Sequence, residues 1–125
     1  MRELLGGVMK PKLGFGTWLL SEQEAYEATK VAVRDYGYRM LDTAKMYKNE
    51  EGIGRALKEL FDEGVVKRED MFITTKLWID GRERVEEELK QSLKRLQLDY
   101  VDLYIMHFML PNIDKDTFEV ERTSL

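Results

Sequence analysis

The sequence predicts an α/β fold: a partial (βα)8 barrel of the TIM type, about its first four βα units, preceded by a short amino-terminal β-hairpin. Three observations carry this. Strand-like and helix-like runs alternate with a period of about 30 residues, the pattern of a parallel sheet with right-handed crossovers. Four such units fit within 125 residues, whereas a complete barrel takes eight strands in roughly 250. Asp42, Lys76 and His107, 34 and 31 residues apart, each follow a strand-like run. Parallel neighbouring strands project all three from one rim, the carboxyl-terminal rim where barrel enzymes hold their chemistry.

The elements follow in order. Residues 4–9 read as a hairpin turning at Gly6-Gly7. Pro11 suits the entry to a first strand, Leu13 to Thr17, in which Gly14 and Gly16 allow close backbone approach. Ser21-Glu22-Gln23-Glu24 is a capping box. It opens a helix to about Tyr36, with Ala25, Ala28, Ala32 and Tyr36 on one face and Gly37 as its stop. The second strand is Tyr38 to Leu41.

Asn49 can cap the next helix. There Ile53, Ala56, Leu57, Leu60 and Phe61 keep the helical spacing of a buried stripe, and Gly64 ends it. The third strand is Met71 to Thr75. Asp80-Gly81-Arg82-Glu83 signals another capping box, before a helix with Val85, Leu89, Leu93 and Leu96 as its buried stripe. Glu86 and Lys90 are i,i+4 partners, and the charges from Arg82 to Arg95 read as a solvated face. The fourth strand is Val101 to Met106. Pro111 breaks the chain, and residues 112–125 are polar and weakly patterned. The whole reads as a single domain.

Composition narrows the function. With 43% apolar residues the chain can build a core. A net charge of −4, from 20 basic and 24 acidic residues, argues against nucleic acid as a partner. Without cysteine there is no disulfide framework, and one histidine with no carboxylate cluster argues against a metal site. No apolar run reaches roughly 18 residues, so no membrane span is expected. A cytoplasmic location is the simplest expectation.

The rim residues suggest a specific chemistry. A phenol such as Tyr47, five residues past Asp42, holds its proton up to about pH 10, and a nearby ammonium favours the phenolate. Lys76 can supply that ammonium, and Asp42 can pair with Lys76 and hold it. His107 can orient a carbonyl oxygen towards Tyr47. The four make a general acid aimed at an oxygen that becomes an alkoxide. Carbonyl reduction also needs hydride, which no side chain supplies, so a nicotinamide or flavin cofactor is implied.

The motifs carry a resemblance. Lys12-Leu13-Gly14-Phe15-Gly16-Thr17-Trp18, Tyr38 through Glu50 with its Asp42-Thr43-Ala44 and Tyr47-Lys48-Asn49-Glu50, Thr74-Thr75-Lys76-Leu77-Trp78, and Asp99 through His107 resemble, in order, the first four strands of the aldo-keto reductase superfamily. The resemblance covers about residues 8–111, an amino-terminal half, with 112–125 as a divergent tail. It implies reduction of aldehydes or ketones with NADP(H), or alternatively NAD(H). Tyr47 would be the proton donor, tuned by Lys76 and Asp42, with His107 orienting substrate. Thr17, Trp18 and Asp42 would lie near the nicotinamide, and Trp18, Tyr47, Trp78 and His107 would line the substrate pocket. The family's phosphate and adenine contacts come from later strands and have no counterpart here. His107-Phe108-Met109 also departs from the family's frequent His-Trp-Pro.

Taken singly, Asp42 and Lys76 read as a structural ion pair, Tyr47 as a loop tyrosine and His107 as a core histidine. Trp18 and Trp78 read as packing residues and the methionines as core filler. Gly14-Phe15-Gly16 lacks the third glycine of a dinucleotide-binding turn. A rival to the enzyme is an inactive half-barrel module. Its two sheet edges would invite self-association, or pairing with a carboxyl-terminal half on a second polypeptide.

Overall fold

The structure, a computed structural model, describes residues 2–3, 7, 9–78 and 83–107, without the side chains of residues 2, 3 and 107. A hairpin pairs β1 (Arg2–Glu3) with β2 (Met9–Lys10), antiparallel. It is wider than the sequence suggests, spanning 2–10 rather than 4–9. There follow β3 (Phe15–Gly16), α1 (Glu22–Tyr36), β4 (Met40–Asp42) and a 3-10 turn (Lys45–Tyr47). Then come α2 (Glu50–Asp62), β5 (Phe72–Trp78), α3 (Val85–Leu96) and β6 (Leu103–His107). Strands β3 to β6 form one parallel sheet in the order β3-β4-β5-β6, part of a (βα)8-type barrel.

One face of the sheet meets the helices. Phe15, Leu41 and Ile73 share a rung. They pack with Ala25 and Val33 of α1, Ile53, Leu57 and Leu60 of α2, and Leu96 of α3. Side chains alternate along a strand, so Asp42, Thr74 and Lys76 leave by the opposite face. The α2 stripe forms, with Ile53, Ala56, Leu57 and Leu60 fully buried and Phe61 half-buried against the same core. The capping box of α1 forms, Ser21 Oγ accepting from Glu24 N and Glu24 Oε1 accepting from Ser21 N, both at 3.1 Å. Gly37 ends that helix in the left-handed region at φ 71°.

Several boundaries and faces differ from expectation. Tyr36 is exposed; it is the last residue of α1, where the chain turns away at Gly37. Strand β4 starts at Met40 and includes Asp42, and β6 starts at Leu103, because Asp102 instead turns its carboxylate to the next strand. Asp102 Oδ2 accepts from Ile73 N at 2.8 Å and from Arg68 Nη2 at 2.9 Å, fixing the start of β5. Strand β5 runs on to Trp78, paired with His107, so Lys76 lies within the strand.

Helix α3 departs furthest. Its N-cap is Arg84, without a side-chain cap. The Asp80-led capping box falls largely on residues 79–82, outside the described residues. Val85 is exposed, and the buried positions are Glu88, Ser92 and Leu96. The face read as solvated turns partly inward, because Lys45 and Glu50 offer Glu88 and Arg95 opposite charge there. Glu86 and Lys90 do pair in solvent, at 3.3 Å.

Candidate active site

The carboxyl end of β4 delivers Asp42, and the turn after it delivers Tyr47. Strand β5 delivers Lys76 from the adjacent position in the sheet. Lys76 is 9% exposed. A buried ammonium needs partners for its three protons, and Lys76 Nζ has three. It donates to Asp42 Oδ1, to the Thr43 carbonyl at 3.2 Å and to Tyr47 Oη at 3.0 Å. The ammonium also lies 4.8 Å from the centre of the Tyr47 ring. Asp42, Tyr47 and Lys76, chosen from sequence, therefore meet at one nitrogen.

The arrangement is held from behind. Thr17 is fully buried, and its hydroxyl donates to the Asp42 carbonyl at 2.9 Å while its N–H does so at 3.1 Å. Asn49 precedes α2, as predicted, but makes no side-chain cap. Its amide instead donates to the carbonyls of Thr17 at 2.7 Å and Leu20 at 3.0 Å. Those two carbonyls flank a turn whose tip is Trp18, 67% exposed, and Leu19, in the left-handed region at φ 67°. Asn49 thus ties the Trp18 turn to the Tyr47 segment. Trp78 is half-buried at the end of β5. His107 is the last residue of β6, level with Trp78; the expectation that its side chain orients a carbonyl oxygen towards Tyr47 lies outside the described residues.

Sequence reasoning missed a second charged group beside the first. Glu50 opens α2 with its side chain only 1% exposed. Its Oε1 accepts from Arg95 Nε at 3.0 Å, Arg95 Nη2 at 2.8 Å and Ser92 Oγ at 3.2 Å; its Oε2 accepts from Thr75 Oγ1 at 2.9 Å. An acid in the first turn of a helix reads in sequence as a partner of the helix dipole, which hides this role. Close by, Lys45 Nζ donates to buried Glu88 at 2.7 Å. That bond holds the Glu88 carboxyl below the usual range, against the opposing effect of burial. Burial, then the nearby charges of Glu88 and Glu50, pushes the Tyr104 phenol up to about 12.

Among the described residues, no group of three or more His, Cys, Asp or Glu could hold a metal ion. No helix among them is long and apolar enough to cross a membrane. The profile of the Aldo/keto reductase family matches residues 12–122. Methylglyoxal reductase DkgA of Escherichia coli is 51% identical over 112 residues, which are 90% of this chain and 39% of that protein. Glycerol 2-dehydrogenase (NADP(+)) of Saccharomyces cerevisiae is 51% identical over 82% of this chain and 31% of its own length. The crystal structure of a Bombyx mori aldo-keto reductase in complex with NADP matches with a TM-score of 0.81 and 40% identity, over 86% of this chain and 37% of that one. The chain thus spans between about a third and two fifths of the length of these relatives.

Proposed function

The chain belongs to the aldo/keto reductase family, and from that premise we propose that it carries the proton-donating part of a site that reduces an aldehyde or ketone to an alcohol. Tyr47 is the acid: its hydroxyl proton passes to the carbonyl oxygen as hydride reaches the carbon. NADPH, or alternatively NADH, supplies that hydride when bound and leaves oxidised. The observation that carries the reading is the 3.0 Å hydrogen bond from Lys76 to Tyr47 Oη. An ammonium there stabilises the oxygen as it loses its proton, with little reorganisation. Asp42 holds Lys76 in place. Trp18, Trp78 and His107 line the pocket.

The residues present fit the nicotinamide end of such a cofactor in part. The Asp42 side chain is 40% exposed although it pairs with Lys76, and Trp18 stands open to solvent. The buried hydroxyl of Thr17 is committed to the Asp42 carbonyl, so Thr17 serves by holding that backbone.

Methylglyoxal, the substrate in the name of the Escherichia coli relative, is a reasonable carbonyl to try first. Oxidation of NADPH is followed on the chain alone and with the carboxyl-terminal remainder of that relative added. Turnover that depends on Tyr47 supports the reading. No turnover in either mixture would overturn it in favour of a half-barrel interaction module. A specific observation favours that second reading: Ile105 and Met106, on the outer strand β6, are 39% and 49% exposed. Apolar burial is worth about 25 cal/mol per Å², so self-association or a second polypeptide would cover them. A compact monomer by light scattering at micromolar concentration would count against it.

A further inference from the structure

We infer that Glu50 is a positioning residue that sets the approach of Tyr47 to Lys76 by clamping the Tyr47 segment to the rear of β5. The inference rests on the reading of Tyr47 as the acid but is tested apart from it. Tyr47 lies three residues before Glu50, across Lys48 in the left-handed region at φ 57°. The short chain between them straddles β5. On one face Tyr47 meets Lys76; on the other Glu50 Oε2 accepts from Thr75. Thr75 and Lys76 are adjacent and point to opposite faces of the strand. Glu50 therefore grips the strand one residue from the ammonium that Tyr47 must reach.

The grip is rigid for a physical reason. Both carboxylate oxygens are used, Oε1 by a forked pair of bonds from Arg95 and by Ser92. Arg95 in turn donates to Ser92 Oγ at 3.1 Å. A buried carboxylate so satisfied has one low-energy placement, and displacing it would strand a charge. Helix α3 holds the same segment at a second point through Glu88 and Lys45, and the two tethers flank Tyr47 in sequence. The 3-10 turn between them, Lys45–Tyr47, is fastened at both ends.

The test reads geometry rather than turnover. Tyrosine carrying carbon-13 at the ring carbon bonded to oxygen is incorporated into the full chain. The Tyr47 resonance is identified by its loss in Tyr47→Phe. Lys76→Met gives the displacement that follows when the ammonium is removed. Glu50→Gln should move the Tyr47 resonance by at least half of that displacement, and Thr75→Val should move it in the same direction by less. Glu59→Gln is the control: it removes the charge from the Tyr26–Lys30–Glu59 network between α1 and α2 and should leave Tyr47 where it was. If Glu50→Gln does not fold, Thr75→Val, which removes one hydroxyl, decides. A Tyr47 resonance unmoved in the folded variants overturns the inference. If the resonance moves yet Tyr47→Phe retains full turnover in the complemented assay, the positioning stands and the identity of the acid falls.

Discussion

A β-carbon added to Gly54 would lie 2.3 Å from the carbonyl oxygen of Arg95. Helices α2 and α3 meet there backbone to backbone, and Gly54 is what lets Arg95 come close enough to fork onto Glu50. Gly54→Ala should therefore destabilise the chain by about 1–3 kcal/mol, the range for overpacking. Helix propensity alone would give a gain of about 1 kcal/mol. Urea melts decide the sign. A stabilised Gly54→Ala would mean that the helices separate freely.

Tyr47→Phe removes the proposed proton donor and keeps the ring. In any active form its turnover should fall by about 10²-fold or more, the lower range for general acid catalysis, with cofactor affinity nearly unchanged. Lys76→Met should be severely impaired too, since it takes away the ammonium bonded to Tyr47. Single-turnover rates and cofactor titrations on both variants separate chemistry from binding.

Acid should loosen the Lys45–Glu88 tether. The folded chain holds the Glu88 carboxyl below its ordinary value of 4.5, chiefly through the bond from Lys45. A depressed carboxylate contributes stability that is present above the unfolded value and is lost as pH falls through the folded one. Unfolding free energy should thus decline below about pH 4.5. In Lys45→Met the decline should be shallower. Denaturant melts across that range would show equal slopes if the tether contributes nothing.

Cofactor affinity should be weak for the chain alone. Trp18 and Asp42 are the proposed contacts at the nicotinamide end, while the phosphate contacts of the family are expected on later strands. Charge-assisted contacts are roughly twice as strong as neutral ones. Forgoing several costs about 4 kcal/mol, or a thousandfold, which leaves a Kd for NADPH of about millimolar or weaker. Fluorescence of Trp18 and Trp78 reports the titration. Saturation at micromolar NADPH would reveal a phosphate site supplied by this chain or by its self-assembly.

Local pattern made a good part of this molecule legible. The α2 stripe, the Ser21–Glu24 capping box and the stop at Gly37 depend on residues a few positions apart, and each forms as read. The strand ends were less legible, because pairing partners set them: β5 continues past Thr75 since β6 lies alongside to Trp78. The faces of α3 were legible only in part: Leu96 is buried and Leu89 and Leu93 half-buried, as the apolar spacing predicts, but Val85 is exposed and Glu88 and Ser92 are buried. Lys45 and Glu50, brought opposite by the fold, draw Glu88 and Ser92 inward beside Leu96.

The sequence by itself determined the alternation of strand and helix, the parallel order of the strands, and the convergence of Asp42, Tyr47 and Lys76, since strands in sequential parallel order must present their ends together. The tertiary structure alone decided what holds that convergence in place. Asn49 turned from a cap into a tie between loops, and Glu50, given no role from sequence, is a buried clamp on Arg95, 45 residues away. Burial is the physical reason. A carboxylate or amide hidden from water must find its partners wherever the packed backbone brings them, and no periodicity in the chain records where that will be.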